Sequence, residues 1–398
     1  MSGLRESLRR ALLYAWATTS RPFVSVSRSS APWPERPRIL VIRPDHLGDL
    51  LFSTPAFRLL RAAFPTAHIT ALIGPWGQDV ARRNPALDEV LTCEFPGFTR
   101  QPKGSPLAPY RLLWREARRL RSFDLAVIPR FDHWWGALLA YTARIPRRWG
   151  YDIPECRPFL TRPVPYVAGY HEVEQNLRLI EAGCQAEGMP CPTAGIDTAL
   201  SFSISEEERA FADDYLARHG LAGGSPLVAI HPGAGAAVKL WPAERYAQVA
   251  DALAERWDAV IILTGSRGEL GLAWAVAAAM RADPLVAAGE TTLGQLAALL
   301  MRCDLVIGSD SGPLHLAAAV GAPTIHLYGP ANPALFGPWA PGKEAAHRAI
   351  VSPMACVPCN RLDYTAADLA KHPCMKEITV AEVLKAAEEL LQLRARGL

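Results

Sequence analysis

No run of apolar residues approaches the roughly 18 that a bilayer-spanning helix needs, so no transmembrane segment is expected. Cysteine is scarce: eight in 398 residues cannot build a fold out of disulfides. Neither charge is in excess. Lys and Arg number 42 against 39 Asp and Glu, a net charge of +3, whereas a nucleic-acid binder needs a concentrated basic surface. No nucleic-acid partner is therefore expected. The N-terminus lacks the compact apolar core and small-residue cleavage site of a secretory signal, which points to a cytoplasmic chain attached at most to a membrane surface. GxGxxG and GxxxxGK[ST] are also missing, so neither a dinucleotide fingerprint nor a P-loop is present and no cofactor is expected. What remains is half apolar and one-fifth charged, the composition of a globular protein, with length enough for two domains.

Residues 1–37 read as a basic extension. Leu4, Leu8, Ala11, Leu12 and Ala15 recur at helical spacing among Arg5, Arg9 and Arg10, followed by a Ser/Pro/Arg-rich tether. Such a helix can lie on anionic lipid or pack on the protein. Ordered structure is expected from residue 38, where Arg38-Ile39-Leu40-Val41-Ile42 reads as a buried strand. Further strands are expected at residues 68–73, 89–91 and 125–128, with helices over 49–63, 81–87 and 109–121. The rhythm restarts with helices over 205–219, 242–256, 270–280, 292–301 and 313–320. Strands fall at 227–230, 259–263, 305–307 and 324–327 between them. Strands alternating with helices imply parallel sheets covered on both faces. The expected architecture is two Rossmann-like, doubly wound α/β domains facing a cleft, 38–198 and 199–376. A hinge is placed in the Gly/Pro/Cys-rich residues 183–195, and a C-terminal helix in 377–398.

Ligands of such sheets bind beyond the carboxyl ends of the strands, so the loops there carry the chemistry. The first is Arg43-Pro44-Asp45-His46-Leu47-Gly48-Asp49, where Asp49 is either a helix cap or a general base at the domain cleft. In the second, His231-Pro232-Gly233-Ala234-Gly235-Ala236-Ala237-Val238-Lys239, small residues leave backbone amides open. Its single Lys supplies a point charge suited to phosphate. The third, Gly308-Ser309-Asp310-Ser311-Gly312-Pro313-Leu314-His315, passes from strand to helix. Free amides there form an anion site, unless Asp310 or Ser311 merely caps the helix. Glu269, after Gly265-Ser266, is placed to accept ribose hydroxyls.

These words together resemble glycosyltransferase family 9, the ADP-heptose:lipopolysaccharide heptosyltransferases. The resemblance runs over about residues 38–392. It rests on Gly48-Asp49 with Pro55, His231-Pro232-Gly233-Ala234 leading to Lys239-x-Trp241-Pro242, and Gly265-Ser266 with Glu269. It continues through Asp310-Ser311-Gly312-Pro313-x-His315, Gly321-x-Pro323, Tyr328-Gly329-Pro330 with Pro333, and His171-Glu172-Val173-Glu174 at a helix start. The resemblance implies the GT-B fold, with an N-terminal acceptor domain and a C-terminal nucleotide-sugar domain. It implies an inverting transferase moving a heptose from an ADP-sugar to a lipopolysaccharide-core or similar glycolipid acceptor. Asp49 would be the catalytic base. Lys239 and the amides around Ser311 and Gly312 would hold the diphosphate, with Gly233, Ala234, Asp310 and His315 in the same donor site and Glu269 on the ribose. Some members carry hydroxyl residues before the Lys, and the Gly/Ala stretch here forgoes those contacts. No DxD-type pair sits in a cleft loop, since Asp213-Asp214 falls inside a predicted helix, so metal-independent transfer is expected.

Alternatives from the same loops are a transferase of another nucleotide sugar, a GT-B-like nucleotide-sugar epimerase, and a non-catalytic nucleotide-sugar binder. Cys356, Cys359, His372 and Cys374 have spacing compatible with tetrahedral zinc or with free thiols, the latter favoured. Trp134-Trp135 with Arg144, Arg147 and Arg148 are candidates for the groove of a phosphorylated glycolipid acceptor, although for each residue singly an aromatic core or a solvated basic face is the favoured reading. A glycolipid acceptor in turn implies peripheral contact with the cytoplasmic face of the inner membrane, through residues 1–37 or the Arg-rich stretches at 111–121 and 144–148.

Overall fold

Short runs of Val, Ile, Leu and Ala bounded by turn residues form the strands, and helical crossovers make successive strands parallel. The computed structural model describes residues 14–16, 32–99, 105, 107–221, 224–364 and 366–396. The chain divides into two units, Met1–Thr198 and Ala199–Leu398. In the first, β1 (Arg38–Arg43), β2 (His68–Ile73), β3 (Glu89–Thr92), β4 (Leu125–Ile128), β5 (Arg147–Tyr151) and β6 (Arg162–Val164) form a sheet of order β3-β2-β1-β4-β5-β6. In the second, β7 (Leu227–His231), β8 (Val260–Leu263), β9 (Leu285–Val286), β10 (Leu305–Ser309), β11 (Thr324–Tyr328) and β12 (His347–Val351) take the order β12-β11-β10-β7-β8-β9. Every pairing is parallel. Both sheets therefore have the doubly wound order in which winding reverses between the first and fourth strands. Each unit thus presents a binding crevice beyond the carboxyl ends of β1 and β4, or of β7 and β10.

Local chemistry explains where the elements depart from expectation. The helix expected over 49–63 is two helices, Leu47–Phe52 and Thr54–Ala63, meeting at Ser53. Pro55 opens the second and cannot supply the amide that would continue the first. The helix expected over 81–87 is Gln78–Arg82, because the Asn84 side chain accepts from the Ala86 amide at 2.9 Å and turns the chain at Pro85. The helix Glu206–Arg218 starts on a capping box, Ser205 N–H donating to Glu208 at 2.9 Å and Glu208 N–H to Ser205 at 3.2 Å. Residues 183–195 do not form one loop, since Gly183 lies within the helix Glu172–Ala186. A Cβ there would stand 2.2 Å from the Trp149 ring.

The arginines at 147 and 148 correct a second expectation. They belong to β5, all of whose residues are buried. Arg147 pairs with Glu187 at 3.3 Å and lies 4.2 Å over the Trp33 ring. Arg148 donates to the carbonyls of Phe159, at 2.6 Å, and Ile145, and its burial pushes the guanidinium down to about 10. Neither is available to an acceptor or a membrane. The basic helix expected near the N-terminus falls outside the described residues, apart from residues 14–16. Among the described residues no helix is long and apolar enough to cross a membrane.

Candidate active site

In the first unit the crevice holds a buried charge network. Arg43 ends β1 with only 1% of its surface exposed. It forms ion pairs with Asp45 at 2.8 Å and Glu172 at 2.7 Å, and donates to the Asn176 amide oxygen at 3.1 Å. Glu172 and Asn176 come from the helix Glu172–Ala186, whose start is fixed by a second capping box. There His171 N–H donates to Glu174 at 2.9 Å, and Val173 N–H donates to His171 Nδ1 at 3.2 Å. Arg130, two residues beyond β4, reaches across to Asp45 and also pairs with Asp132 at 2.6 Å. The loop carbonyls of Pro44 and Asp45 accept from the Trp76 indole at 3.1 and 2.8 Å.

Asp49 sits in the first turn of the helix Leu47–Phe52, but it is not the cap. His46 occupies that position, and no side chain caps this helix start. The half-buried Asp49 carboxyl is raised to about 7, first by burial and then by the negative charge of Asp45, against which Arg43 pulls down. Asp45 itself is held below the usual carboxylate range: Arg43 and Arg130 outweigh its burial. Two carboxyls four residues apart are thereby separated into a permanent anion and a group that titrates near neutrality. The latter is the property a general base requires.

In the second unit Lys239, Asp310 and His315 converge at the carboxyl end of β10. Lys239 Nζ lies 2.5 Å from one Asp310 oxygen, and His315 Nε2 lies 3.2 Å from the other. Burial alone would raise Asp310, yet the His315 hydrogen bond and the Lys239 ammonium hold it well below its ordinary value. Ser311 occupies the N-cap position of the helix Gly312–Ala319 without capping it, and its buried Oγ has no hydrogen-bond partner among the described residues. Capping therefore explains neither Asp310 nor Ser311. Glu269 accepts from Ser266 N–H at 2.8 Å and Ser266 Oγ at 2.7 Å, with His231 Nε2 3.9 Å away. A Cβ on Gly233 would stand 2.1 Å from the Glu269 carboxylate, so only glycine allows that approach. Ala234 continues the same small-residue loop.

The structure does not bring Cys356, Cys359, His372 and Cys374 into a ligand set. Cys356 and Cys359 are exposed, Cys374 is buried, and His372 lies against the Tyr364 ring with centroids 3.8 Å apart. Among the described residues no group of three or more His, Cys, Asp or Glu is placed to hold a metal. Asp213 lies on the helix Glu206–Arg218 and pairs with Arg302 at 2.8 Å, as a solvated face would. Sequence reasoning assigned no part to Arg43, Asp45, Arg130 or Glu172. The signal available was charge placed directly after the apolar runs of β1 and β4.

The chain matches glycosyltransferase family 9 (heptosyltransferase) over residues 113–363. It is 28% identical over 305 residues to lipopolysaccharide heptosyltransferase 2 of Escherichia coli (strain K12), covering 74% of this chain and 84% of that protein. Among solved structures it is similar to the glycosyl transferase family 9 protein of Veillonella parvula, with a TM-score of 0.70 and 29% identity, covering 89% of this chain and 97% of that one. The E. coli ADP-heptose lps heptosyltransferase II superposes with a TM-score of 0.67 at 23% identity, over 90% of this chain and 99% of that one.

Proposed function

We propose, from the premise that this chain belongs to glycosyltransferase family 9 and has its GT-B fold, that it transfers a heptose from an ADP-sugar to a lipopolysaccharide-core or similar glycolipid acceptor. The first unit takes the acceptor and the second the donor. The acceptor hydroxyl gives its proton to Asp49 as it attacks the anomeric carbon opposite the departing diphosphate, so the configuration inverts. Negative charge growing on ADP meets the Lys239 ammonium and the amides at the start of the helix Gly312–Ala319, without a bound metal. Asp310, itself anionic, does not touch phosphate; it holds Lys239 and His315 in place. Glu269 takes the ribose hydroxyls, and Gly233 and Ala234 admit the diphosphate to backbone. The observation that carries this reading is a non-capping Asp49 carboxyl beyond the carboxyl end of β1, next to the buried ion pairs of Arg43 with Asp45 and Glu172, whose surroundings raise it to about 7. The test is incubation with ADP-heptose and a deacylated core oligosaccharide, with mass spectrometry of the products. A heptosylated oligosaccharide supports the reading. Transfer only from UDP- or GDP-sugars, or epimerised donor without transfer, overturns it.

Lys239→Ala should weaken ADP binding and slow the leaving-group step. A charge-assisted phosphate bond contributes about 1.5–3 kcal/mol, or roughly ten- to a hundredfold. Calorimetric titration with ADP, alongside turnover, checks this; unchanged affinity with unchanged rate removes Lys239 from the site.

A lipid-linked acceptor requires the cytoplasmic protein to touch the membrane peripherally, and one surface fits. The helix Ala108–Arg119 buries Leu113, Glu116 and Ala117. Flanking that face, Leu107, Tyr110 and Trp114 are 58%, 55% and 48% exposed, and Arg111, Arg115 and Arg118 follow beside them around the helix. Aromatic and basic groups on one helix face suit an anionic lipid interface. Each arginine near such a surface contributes about 1 kcal/mol. Replacing Arg111, Arg115 and Arg118 with Gln should therefore cut low-salt binding to anionic liposomes by roughly a hundredfold. Turnover on a deacylated acceptor should be untouched. Deleting residues 1–36 separates the contribution of the extension, and equal liposome binding by both variants and the parent refutes the contact.

A further inference from the structure

The loop that leads to Asp49 is fastened by a neighbouring strand. β2 ends at Ile73, and the chain turns through Gly74 into a short 3₁₀ helix, Pro75–Gly77, which sets the Trp76 indole against the loop after β1. The indole N–H donates to two successive main-chain carbonyls of that loop, Pro44 at 3.1 Å and Asp45 at 2.8 Å. The His46 ring packs against the indole, with centroids 5.0 Å apart and planes tilted by 34°. Both glycines beside the turn make room for these contacts. A Cβ on Gly74 would stand 2.1 Å from the indole ring, and one on Gly77 would stand 2.8 Å from Leu50, a buried residue of the helix Leu47–Phe52. Their φ angles, −68° and −103°, suit any residue, so space and not backbone freedom calls for glycine at both. The Asp49 helix needs an outside fastening. It has six residues and no side-chain cap, which leaves it little stability of its own. Arg43 and Arg130 hold the Asp45 carboxylate, and Trp76 holds the main chain.

We propose that Trp76 is a positioning residue for transfer: its indole N–H fixes the main chain of Pro44 and Asp45, and through them the place of Asp49 beside Asp45. The inference rests on the reading of Asp49 as general base, and it adds the group that keeps the base in place. Four charged groups act on Asp49: Arg43 on β1, Asp45 on the loop, Glu172 on the helix Glu172–Ala186 and Arg130 beyond β4. Burial and the negative charge of Asp45 are the two largest influences raising it, and both depend on the loop staying where Trp76 holds it. Arg43, which pulls it down, stands on β1 and not on the loop. Releasing the loop should therefore lower Asp49 towards the ordinary carboxylate range. That sign is opposite to the one expected from removing Arg43, and loss of packing at a distance would not produce it.

The test uses the full chain with ADP-heptose and a deacylated core oligosaccharide, assayed across pH 5–9. Trp76→Phe removes the donor and keeps an aromatic ring. The benzothiophene analogue of tryptophan, placed at residue 76, keeps the whole shape and replaces only the N–H with sulfur. On the high-pH plateau kcat should fall roughly ten- to a hundredfold in both, since misplacing a reacting group by about 1 Å costs that much. The rising limb should move down by about one pH unit, a fraction of what burial and a like charge can produce. ADP affinity should be unchanged, because Lys239 and Asp310 belong to the other unit. Asp49→Asn, run alongside, separates two failures. If it is slow while both Trp76 variants keep the parental kcat and limb, the positioning role is overturned and the base stands. If all three proteins keep the parental rate, the reading of Asp49 falls and takes this inference with it. Trp76 variants that melt several degrees lower yet keep the parental limb also overturn the inference, since that marks a packing role.

Discussion

Replacing Asp49 with Asn should reduce the rate of transfer by about 10²–10⁴, the share a positioned general base contributes, while leaving ADP affinity where it was. The amide preserves the shape of the side chain and removes its capacity to take a proton. The same carboxyl should set the pH profile of the parent enzyme. Burial, with Asp45 adding repulsion and Arg43 opposing it, raises Asp49 to about 7. Below that pH the carboxyl is neutral and cannot accept the hydroxyl proton. The rate should therefore climb with pH through about 7 and level off above it, and the Asn variant should lose this limb. Stopped assays across pH 5–9 with saturating donor would show it. A variant that lost ADP affinity yet kept its rate at saturation would make Asp49 a binding residue instead.

Much of this site was legible because it follows from periodicity and loop chemistry. Apolar runs alternating with helical patterns announced parallel sheets, and loops at their carboxyl ends drew attention to Asp49, Lys239, Glu269 and Asp310. The structure places Lys239 and His315 each within bonding distance of Asp310, although Lys239 and Asp310 lie 71 residues apart. The distinction between a cap and a functional group was not legible at Asp49 or Ser311. Both occupy positions where caps are common, and only the absence of a capping hydrogen bond separates the cases. The charged strand β5 was illegible for a related reason. Arg147 and Arg148 look solvated in any pattern that equates charge with surface, yet carbonyls of Phe159 and Ile145 and the carboxylate of Glu187 satisfy them indoors. The partners of Arg43 come from 129 and 133 residues away, a separation that no local pattern encodes.

Arg43→Met should lower the stability of the first unit by about 3–5 kcal/mol, the loss expected when one member of a buried ion pair is removed and its partners stay behind. Asp45 would remain buried with Arg130 alone, and Glu172, already raised by burial, would lose its ion pair with Arg43. At roughly 2–4 °C per kcal/mol for a domain of this size, the melting temperature should fall by about 6–20 °C. The double variant Arg43→Met/Glu172→Gln should recover part of that loss, because it no longer buries a carboxylate facing an apolar side chain. A second effect follows from the same charge. Arg43 is the stronger of the two cations pulling Asp49 down, so its removal should move the activity limb of surviving enzyme above pH 7. Stability and catalysis are thus joined in one guanidinium: the group that neutralises the network also keeps the base ionised enough to work. Thermal unfolding and a pH profile measured on one preparation test both halves. A melting temperature within a degree or two of the parent, with an unmoved limb, would show that Arg130 and solvent suffice to balance Asp45 and that the network does not tune Asp49.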